Sequence, residues 1–252
     1  MIQWMTDNIF AHRGFHSKPE IPENSLPAFR RAAERGWGAE FDVHLLSDGT
    51  LAIFHDSELE RCTGVKGNIE ALDFEKMRKL RLEGTDEVIP TFDEVLDIFE
   101  HSDNRHGNPC PLIIELKPVG NIQALVRAVC DRLDSYKGDF CIECFDPRAL
   151  IALKQYRPEI VRGQLAQDFL IHDVGLPWYQ RRMLANLWWD KITKPDFVAY
   201  QFSDRKNRAL RRETDKKGIQ EVSWTIRSKK EFDAAIAAGC VPIFEGFDPE
   251  KD

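Results

Sequence analysis

Ala39-Glu40-Phe41-Asp42-Val43-His44, followed by Ser47-Asp48-Gly49-Thr50 and then Leu51-Ala52-Ile53-Phe54-His55-Asp56, is the stretch on which the fold turns. Its first part alternates charged and apolar residues, the period of a strand whose neighbouring side chains point to opposite faces. Glu40 and Asp42 therefore project to one side. Phe41 and Val43 supply an apolar face for packing against helices. Ser47–Thr50 has hairpin turn chemistry, so Leu51–Phe54 is expected to fold back on Val43–Leu46.

Outward from this hairpin, short apolar runs recur between helix-like segments. They are Ile9–Ala11, Ala39–His44, Leu112–Lys117, Phe140–Phe145, Ile160–Leu165, Phe197–Phe202, Glu221–Ile226 and Val241–Phe247. Their Val, Ile and Phe content and their length favour strands. Asn24-Ser25 is suited to cap a helix through Leu26, Phe29 and Ala33 that Gly36 ends. Thr91 is placed to cap Phe92–Glu100, and further helices are read at Ile122–Leu133, Pro147–Tyr156, Arg205–Lys217 and Lys229–Ala238. Eight strands alternating with helices over 252 residues give about 31 residues per unit, the proportions of an α/β (β/α)8 TIM barrel. A doubly wound open sheet competes, but no GxGxxG follows the first strand. The expectation is one barrel domain over 1–252, with a small insertion after the second strand at about 56–90.

Composition narrows the function. Lys and Arg total 35 against 42 Asp and Glu, a net charge of −7, which disfavours nucleic acid as a partner. The basic stretch from Arg205 to Lys217 is interrupted by acids and reads as a solvated helix. No apolar run approaches the roughly 20 residues that span a bilayer, and the N-terminus lacks a secretory pattern, so a cytoplasmic protein without stable membrane insertion is expected. Cys141 and Cys144 have CxxC spacing, but on a strand they face opposite ways, and the six cysteines read as buried thiols. Trp178, Trp188 and Trp189 read as helix packing rather than a ligand cage.

Chemistry concentrates in His12-Arg13-Gly14, Glu40-Phe41-Asp42, His55-Asp56 and Glu115-Leu116-Lys117. Each lies at or just beyond the C-terminal end of a strand, where barrels carry their sites. Three converging carboxylates, Glu40, Asp42 and Glu115, are costly to bury without a positive partner. A hard divalent cation meets that need, with Arg13 and Lys117 nearby for an anionic substrate. Read singly, the residues allow plainer roles: Glu40 and Asp42 as surface charges, either histidine as a structural one, Glu115 and Lys117 as an ion pair, Arg13 as a brace. Taken jointly, charged pairs at the ends of apolar strands are hard to explain by packing. His44 shares the Glu40/Asp42 face; it is a possible fourth ligand, but is more simply expected to meet solvent or substrate. Asn24 reads as a helix cap near the mouth.

These motifs resemble the glycerophosphodiester phosphodiesterase family. The likeness is strongest from Phe10 to Leu59, through Ala11-His12-Arg13-Gly14, Pro22-Glu23-Asn24-Ser25, Ala28-Phe29, Glu40-Phe41-Asp42-Val43, Asp48-Gly49 and His55-Asp56. It continues at Arg61-Cys62-Thr63-Gly64, Ile89-Pro90-Thr91-Phe92, Glu115-Leu116-Lys117 and Trp224-Thr225, and is thin over Ala166–Pro195. The resemblance implies a metal-dependent barrel enzyme that releases an alcohol and glycerol 3-phosphate from a small glycerophosphodiester. It implies Glu40, Asp42 and Glu115 as metal ligands, His12 and His55 as the acid/base pair, Arg13 and Lys117 as phosphate contacts, and Trp224 as a wall of the glycerol pocket. Oxygen ligands suit Mg2+ or Ca2+, and a nitrogen ligand shifts the choice towards Mn2+ or Zn2+. His12 is read as the acid and His55 as the base.

Two departures touch the pocket rim and so the leaving alcohol. Cys240–Phe247 replaces the family's Gly-Val-Asp-Gly strand and following Thr-Asp-Arg-Pro, and Cys144-Phe145 replaces Ser-Phe. Two other readings stand beside the first. One is a lysophospholipase D-like or phosphoinositide-type phosphodiesterase, with 178–189 as its only candidate apolar groove. The other is a non-catalytic barrel that binds phosphorylated metabolites.

Overall fold

Nine strands run through the residues that the computed structural model describes, 2–172 and 175–251. Eight of them are parallel and alternate with helices, the (β/α)8 barrel class that the alternation predicts. The chain divides into two units, one spanning Phe10–Phe140 and the other Cys141 onward together with the N-terminal residues up to Ile9.

In the first unit, β1 (Phe10–His12), β2 (Gly38–Leu45) and β4 (Leu112–Leu116) run parallel, and β3 (Leu51–Ile53) returns antiparallel on β2. The hairpin has the pairing anticipated from Ser47–Thr50, with Val43 opposite Ile53 and Leu45 opposite Leu51. Phe41 turns to the helical side, edge-on to Phe29 of the helix Leu26–Glu34 at 5.6 Å and tilted against Phe92 at 6.0 Å. Both helices begin where their caps dictate. Ser25 Oγ accepts from the Ala28 N–H, and Thr91 and Glu94 form a reciprocal capping box ahead of Phe92–Glu100. Asn24, expected as a cap, is instead the residue before it.

Residues 56–90 form the insertion, built of the short helices Glu60–Thr63 and Phe74–Met77 and a 3-10 turn at Ile69–Ala71. Leu59, Cys62, Ile69, Met77, Leu82 and Ile89 close over Leu46, Ala52 and Phe54 of the hairpin, a small core of its own.

In the second unit, β5 (Phe140–Cys144), β6 (Arg162–Ala166), β7 (Phe197–Gln201), β8 (Gln220–Ile226) and β9 (Val241–Phe244) run parallel in sequence order. All six cysteines are buried free thiols. The basic stretch differs from its reading as a solvated helix. A helical turn begins only at Arg208, because the Asn207 side chain caps it, and a π turn follows at Arg212–Lys216. Its charges are engaged: Arg205 and Arg211 pair with Glu221 of β8, and Arg212 and Lys217 with buried Glu213. The tryptophans also depart from expectation. The helix Trp178–Ala185 buries only Ala185 and leaves Trp178 71% exposed; beyond its end Trp188 is 47% exposed, and only Trp189 is half-buried. Among the described residues no helix is long and apolar enough to cross a membrane.

Candidate active site

Strand register assembles the site. β1 and β2 place His12 beside Glu40, and β2 and β4 place Asp42 beside Glu115. Paired residues of parallel strands share a face, so all four side chains emerge on one side of the sheet, opposite Phe41 and Ile114. The three carboxylates are buried, and one oxygen from each lies within 4.8 Å of the others. His12 Nε2 stands 3.7 Å from Glu40 Oε2.

Two cations enter this acidic cluster. Lys117, one residue beyond β4, places Nζ 2.9 Å from Asp42 Oδ1 and donates to Glu115 Oε1 at 2.6 Å. Arg13, just after β1, donates its backbone N–H to Glu40 Oε2 at 3.2 Å and holds Nε 3.5 Å from Asp42 Oδ2. It turns back because its φ is +53°, and Gly14 continues the turn at φ +77°. A Cβ on Gly14 would lie 2.9 Å from the Ala28 carbonyl carbon, so only glycine fits there.

The electrostatics show an unbalanced site. Burial works against ionised Asp42, but Lys117, His55, Arg13 and the Asn24 amide hold its pKa well below the usual carboxylate range. Burial beside Asp42 pushes Glu115 up to about 7 despite the pull of Lys117. Asp42 is thus ionised, while its buried neighbour Glu115 resists ionising beside it. A hard divalent cation held by oxygens matches this donor set. Asn24 adds to the fit: its Nδ2 donates to Asp42 Oδ2 at 2.8 Å, while its buried Oδ1 has no hydrogen-bond partner. That arrangement replaces the cap role read from the sequence, and the left-handed backbone of Asn24, φ +53°, aims the side chain at Asp42.

His55 follows β3, and its Nδ1 meets Asp56 Oδ1 at 2.6 Å. Burial, reinforced by Lys117 and Arg13, pushes its pKa down to about 4, although Asp42 and Asp56 pull the other way. The ring is therefore neutral near pH 7. With Nδ1–H donated to the carboxylate, Nε2 keeps its lone pair.

His44 takes neither the ligand role nor the exposed one considered from the sequence. It is 1% exposed, with Nδ1 2.8 Å from Glu70 Oε1 and Nε2 3.3 Å from the His55 carbonyl oxygen. The insertion supplies Glu70, whose Oε1 also accepts from Ser57 at 2.6 Å, and so covers the outward end of this face.

Glu23 and Arg61 lie in recognisable motifs, yet no role was legible for them. Glu23 is buried and accepts from Arg13 Nη1 at 2.8 Å, Arg61 Nη2 at 2.7 Å and Lys18 Nζ at 2.5 Å. Although burial opposes it, these three cations hold its pKa far below the carboxylate range. The available signal was chemical: a buried charge in a motif demands partners. Trp224, in the second unit, lies on β8 and borders a polar cavity of about 490 Å3 with Gln167, Gln201 and Arg227. Its ring meets Phe145 edge-on at 5.6 Å.

The family model described as "Glycerophosphoryl diester phosphodiesterase family" matches residues 12–247. A glycerophosphodiester phosphodiesterase of Caldanaerobacter subterraneus subsp. tengcongensis is 28% identical over 250 residues, covering 96% of this chain and 94% of that protein. Glycerophosphodiester phosphodiesterase 1 of Homo sapiens is 39% identical over 251 residues, covering 86% and 71%. An Oleispira antarctica phosphodiesterase, solved in complex with the product sn-glycerol-3-phosphate, is similar in fold, with a TM-score of 0.75 at 23% identity over 94% of this chain and 92% of that one.

Proposed function

The chain belongs to the glycerophosphoryl diester phosphodiesterase family, and from that premise we propose a divalent-metal-dependent hydrolysis of glycerophosphodiesters to glycerol 3-phosphate and an alcohol. The observation that carries the proposal is the convergence of the buried carboxylates Glu40, Asp42 and Glu115, with Arg13, Lys117 and His55 about Asp42. The unit of function is a single barrel domain with its insertion at about 56–90. Its substrate is a small molecule, and its setting is the cytoplasm.

Glu40, Asp42 and Glu115 are the oxygen ligands, and Mg2+ or Ca2+ suits them, with Mn2+ also compatible. The ion, when bound, supplies Lewis-acid stabilisation of the phosphate charge. Arg13 offers guanidinium N–H groups to a phosphate oxygen, and Lys117 adds a compact positive charge. His55, neutral and oriented by Asp56, accepts a proton at Nε2 from the attacking hydroxyl or water. His12, beside Glu40, donates a proton to the departing alkoxide, which is otherwise a poor leaving group. Trp224 walls the glycerol moiety.

Release of glycerol 3-phosphate from glycerophosphocholine and glycerophosphoethanolamine, measured with a panel of divalent ions and with chelator, tests this. Turnover that chelation abolishes and one of these ions restores is expected. Absence of release with every ion, or release indifferent to chelation, contradicts it.

A second reading, a lysophospholipase D-like activity, is favoured by one observation. Phe145, which touches Trp224, also lines an apolar cavity of about 400 Å3 with Phe169, Leu176, Met183, Leu184 and Trp189. That volume suits an acyl group on the glycerol moiety, the part of a lysophospholipid that stays with the phosphate when the head-group alcohol leaves. Comparing kcat/KM for lysophosphatidylcholine with that for glycerophosphocholine separates the two: a preference for the deacylated diester sets this reading aside.

A further inference from the structure

Arg61 opens the Arg61–Gly64 motif on the insertion's first helical turn, and the reaction as described gives it no task. Its guanidinium nevertheless spans two carboxylates that serve different parts of the site. Nη2 donates to Glu23 Oε1 at 2.7 Å, and Nε donates to Asp56 Oδ2. Asp56 presents its other oxygen to His55 Nδ1 at 2.6 Å. Glu23 Oε1 also accepts from Arg13 Nη1, whose Nε faces Asp42. The chain of contacts thus runs His55, Asp56, Arg61, Glu23, Arg13, Asp42, joining the proton-accepting histidine to the phosphate-facing arginine.

We propose that Arg61 is a positioning residue: its fork fixes the Asp56 carboxylate against His55 and the Glu23 carboxylate against Arg13, so that the insertion aligns both groups. The inference rests on the roles given to His55 and Arg13 above. Planar geometry is the reason for arginine here. Donors on Nε and Nη2 reach two acceptors at once with a fixed angle between them, whereas a lysine ammonium is a single point of charge on a flexible stem. Arg61 is itself 44% exposed, while Glu23 is buried, so the link runs from the surface of the insertion to the interior of the site. Lys18, on the other Glu23 oxygen, keeps that carboxylate paired when Arg61 is removed, which makes the variant an alignment change rather than an uncompensated buried charge.

The test is a set of double-mutant cycles on glycerol 3-phosphate release, with Arg61→Ala and Arg61→Lys each made alone and combined with Asp56→Asn or Glu23→Gln. Alignment through Asp56 predicts that Arg61→Ala lowers kcat by about 10–100-fold, part of the 10²–10⁴ that a positioned base supplies. It also predicts that Arg61→Ala costs little further kcat once Asp56 is Asn. Alignment through Glu23 predicts a severalfold rise in KM for Arg61→Ala that disappears in the Glu23→Gln background. Arg61→Lys, which keeps the charge and a reach to Glu23, is expected to lower kcat at least fivefold while KM stays within twofold. Nitrogen NMR of the His55 ring should show loss of the single Nδ1–H tautomer in Arg61→Ala. Independent, additive effects of Arg61 and Asp56, or wild-type kcat in Arg61→Lys, overturn the proposal. His55→Ala separates the two failures: if it retains near-normal kcat, the underlying role of His55 is wrong, and if it is inactive while both Arg61 variants match wild type, only the positioning claim fails.

Discussion

Replacing Asp56 by Asn changes one atom and should disable the base. The carboxylate now accepts on both sides, from His55 through Oδ1 at 2.6 Å and from Arg61 through Oδ2. An amide has one acceptor, and a guanidinium has only donors. Turning the amide nitrogen towards Arg61 sets donor against charged donor and leaves that bond unmade, at a cost of about 1.5–3 kcal/mol. The amide oxygen therefore faces Arg61, and the NH2 group faces His55 Nδ1. Nδ1 must then accept, the ring proton moves to Nε2, and the lone pair needed for proton transfer is gone. Loss of a positioned base is worth about 10²–10⁴ in kcat, or roughly 3–5.5 kcal/mol in the barrier. KM should stay within about threefold, because Arg13 and Lys117 keep their partners. Steady-state release of glycerol 3-phosphate at saturating metal measures both constants, and nitrogen NMR of the His55 ring reads the tautomer. A kcat within threefold of wild type, or an unchanged tautomer, refutes this reasoning.

Other outcomes follow from particular contacts. Asp190 is buried, neither carboxylate oxygen has a hydrogen-bond partner, and burial beside Glu213 pushes its pKa up to about 7. A raised folded-state pKa means that the stability associated with this group is complete below the unfolded value, near 3.8, and is lost as pH rises through about 7. Asp190→Asn should therefore gain stability relative to wild type by about 3–4 kcal/mol between pH 4 and pH 7.5 and plateau above, as read by urea unfolding; a difference that is flat with pH contradicts the assignment. Gly14→Ala places a Cβ 2.9 Å from Ala28 backbone on a residue at φ +77°, so a loss of about 1–3 kcal/mol and a displaced Arg13 are expected. Thermal unfolding and kcat/KM should fall together, and wild-type values for both argue against the close approach.

Local signals carried much of the fold. Helices at Phe92–Glu100, Ile122–Leu133 and Pro147–Tyr156 lie where their caps and apolar spacing put them, because Thr91, Asn121 and Asp146 each accept a first-turn N–H. The alternation in Glu40–Val43 specified which residues share a face. It did not specify what covers that face. His44 is closed off by Glu70, 26 residues away on the insertion, and no local period encodes that pairing. Glu23 and Arg61 are 38 residues apart, and their link appears only once the insertion has folded back. Trp178 shows the opposite error. Aromatics at helical spacing suggest packing, but the helix 178–185 presents almost nothing to a core. At Arg205–Lys217 charge density alone suggested solvation, whereas buried Glu213 and Glu221 recruit those cations.

The account depends most on the affinity of Glu40, Asp42 and Glu115 for a divalent ion, and calorimetric titration of Mg2+, Ca2+ and Mn2+ into chelator-treated protein measures it directly. One site per chain is expected for at least one of these ions, weakened at least tenfold by Asp42→Asn and by Glu40→Gln, with both variants still folded. No heat of binding at millimolar concentrations of any of the three, or equal affinity in wild type and both variants, contradicts it.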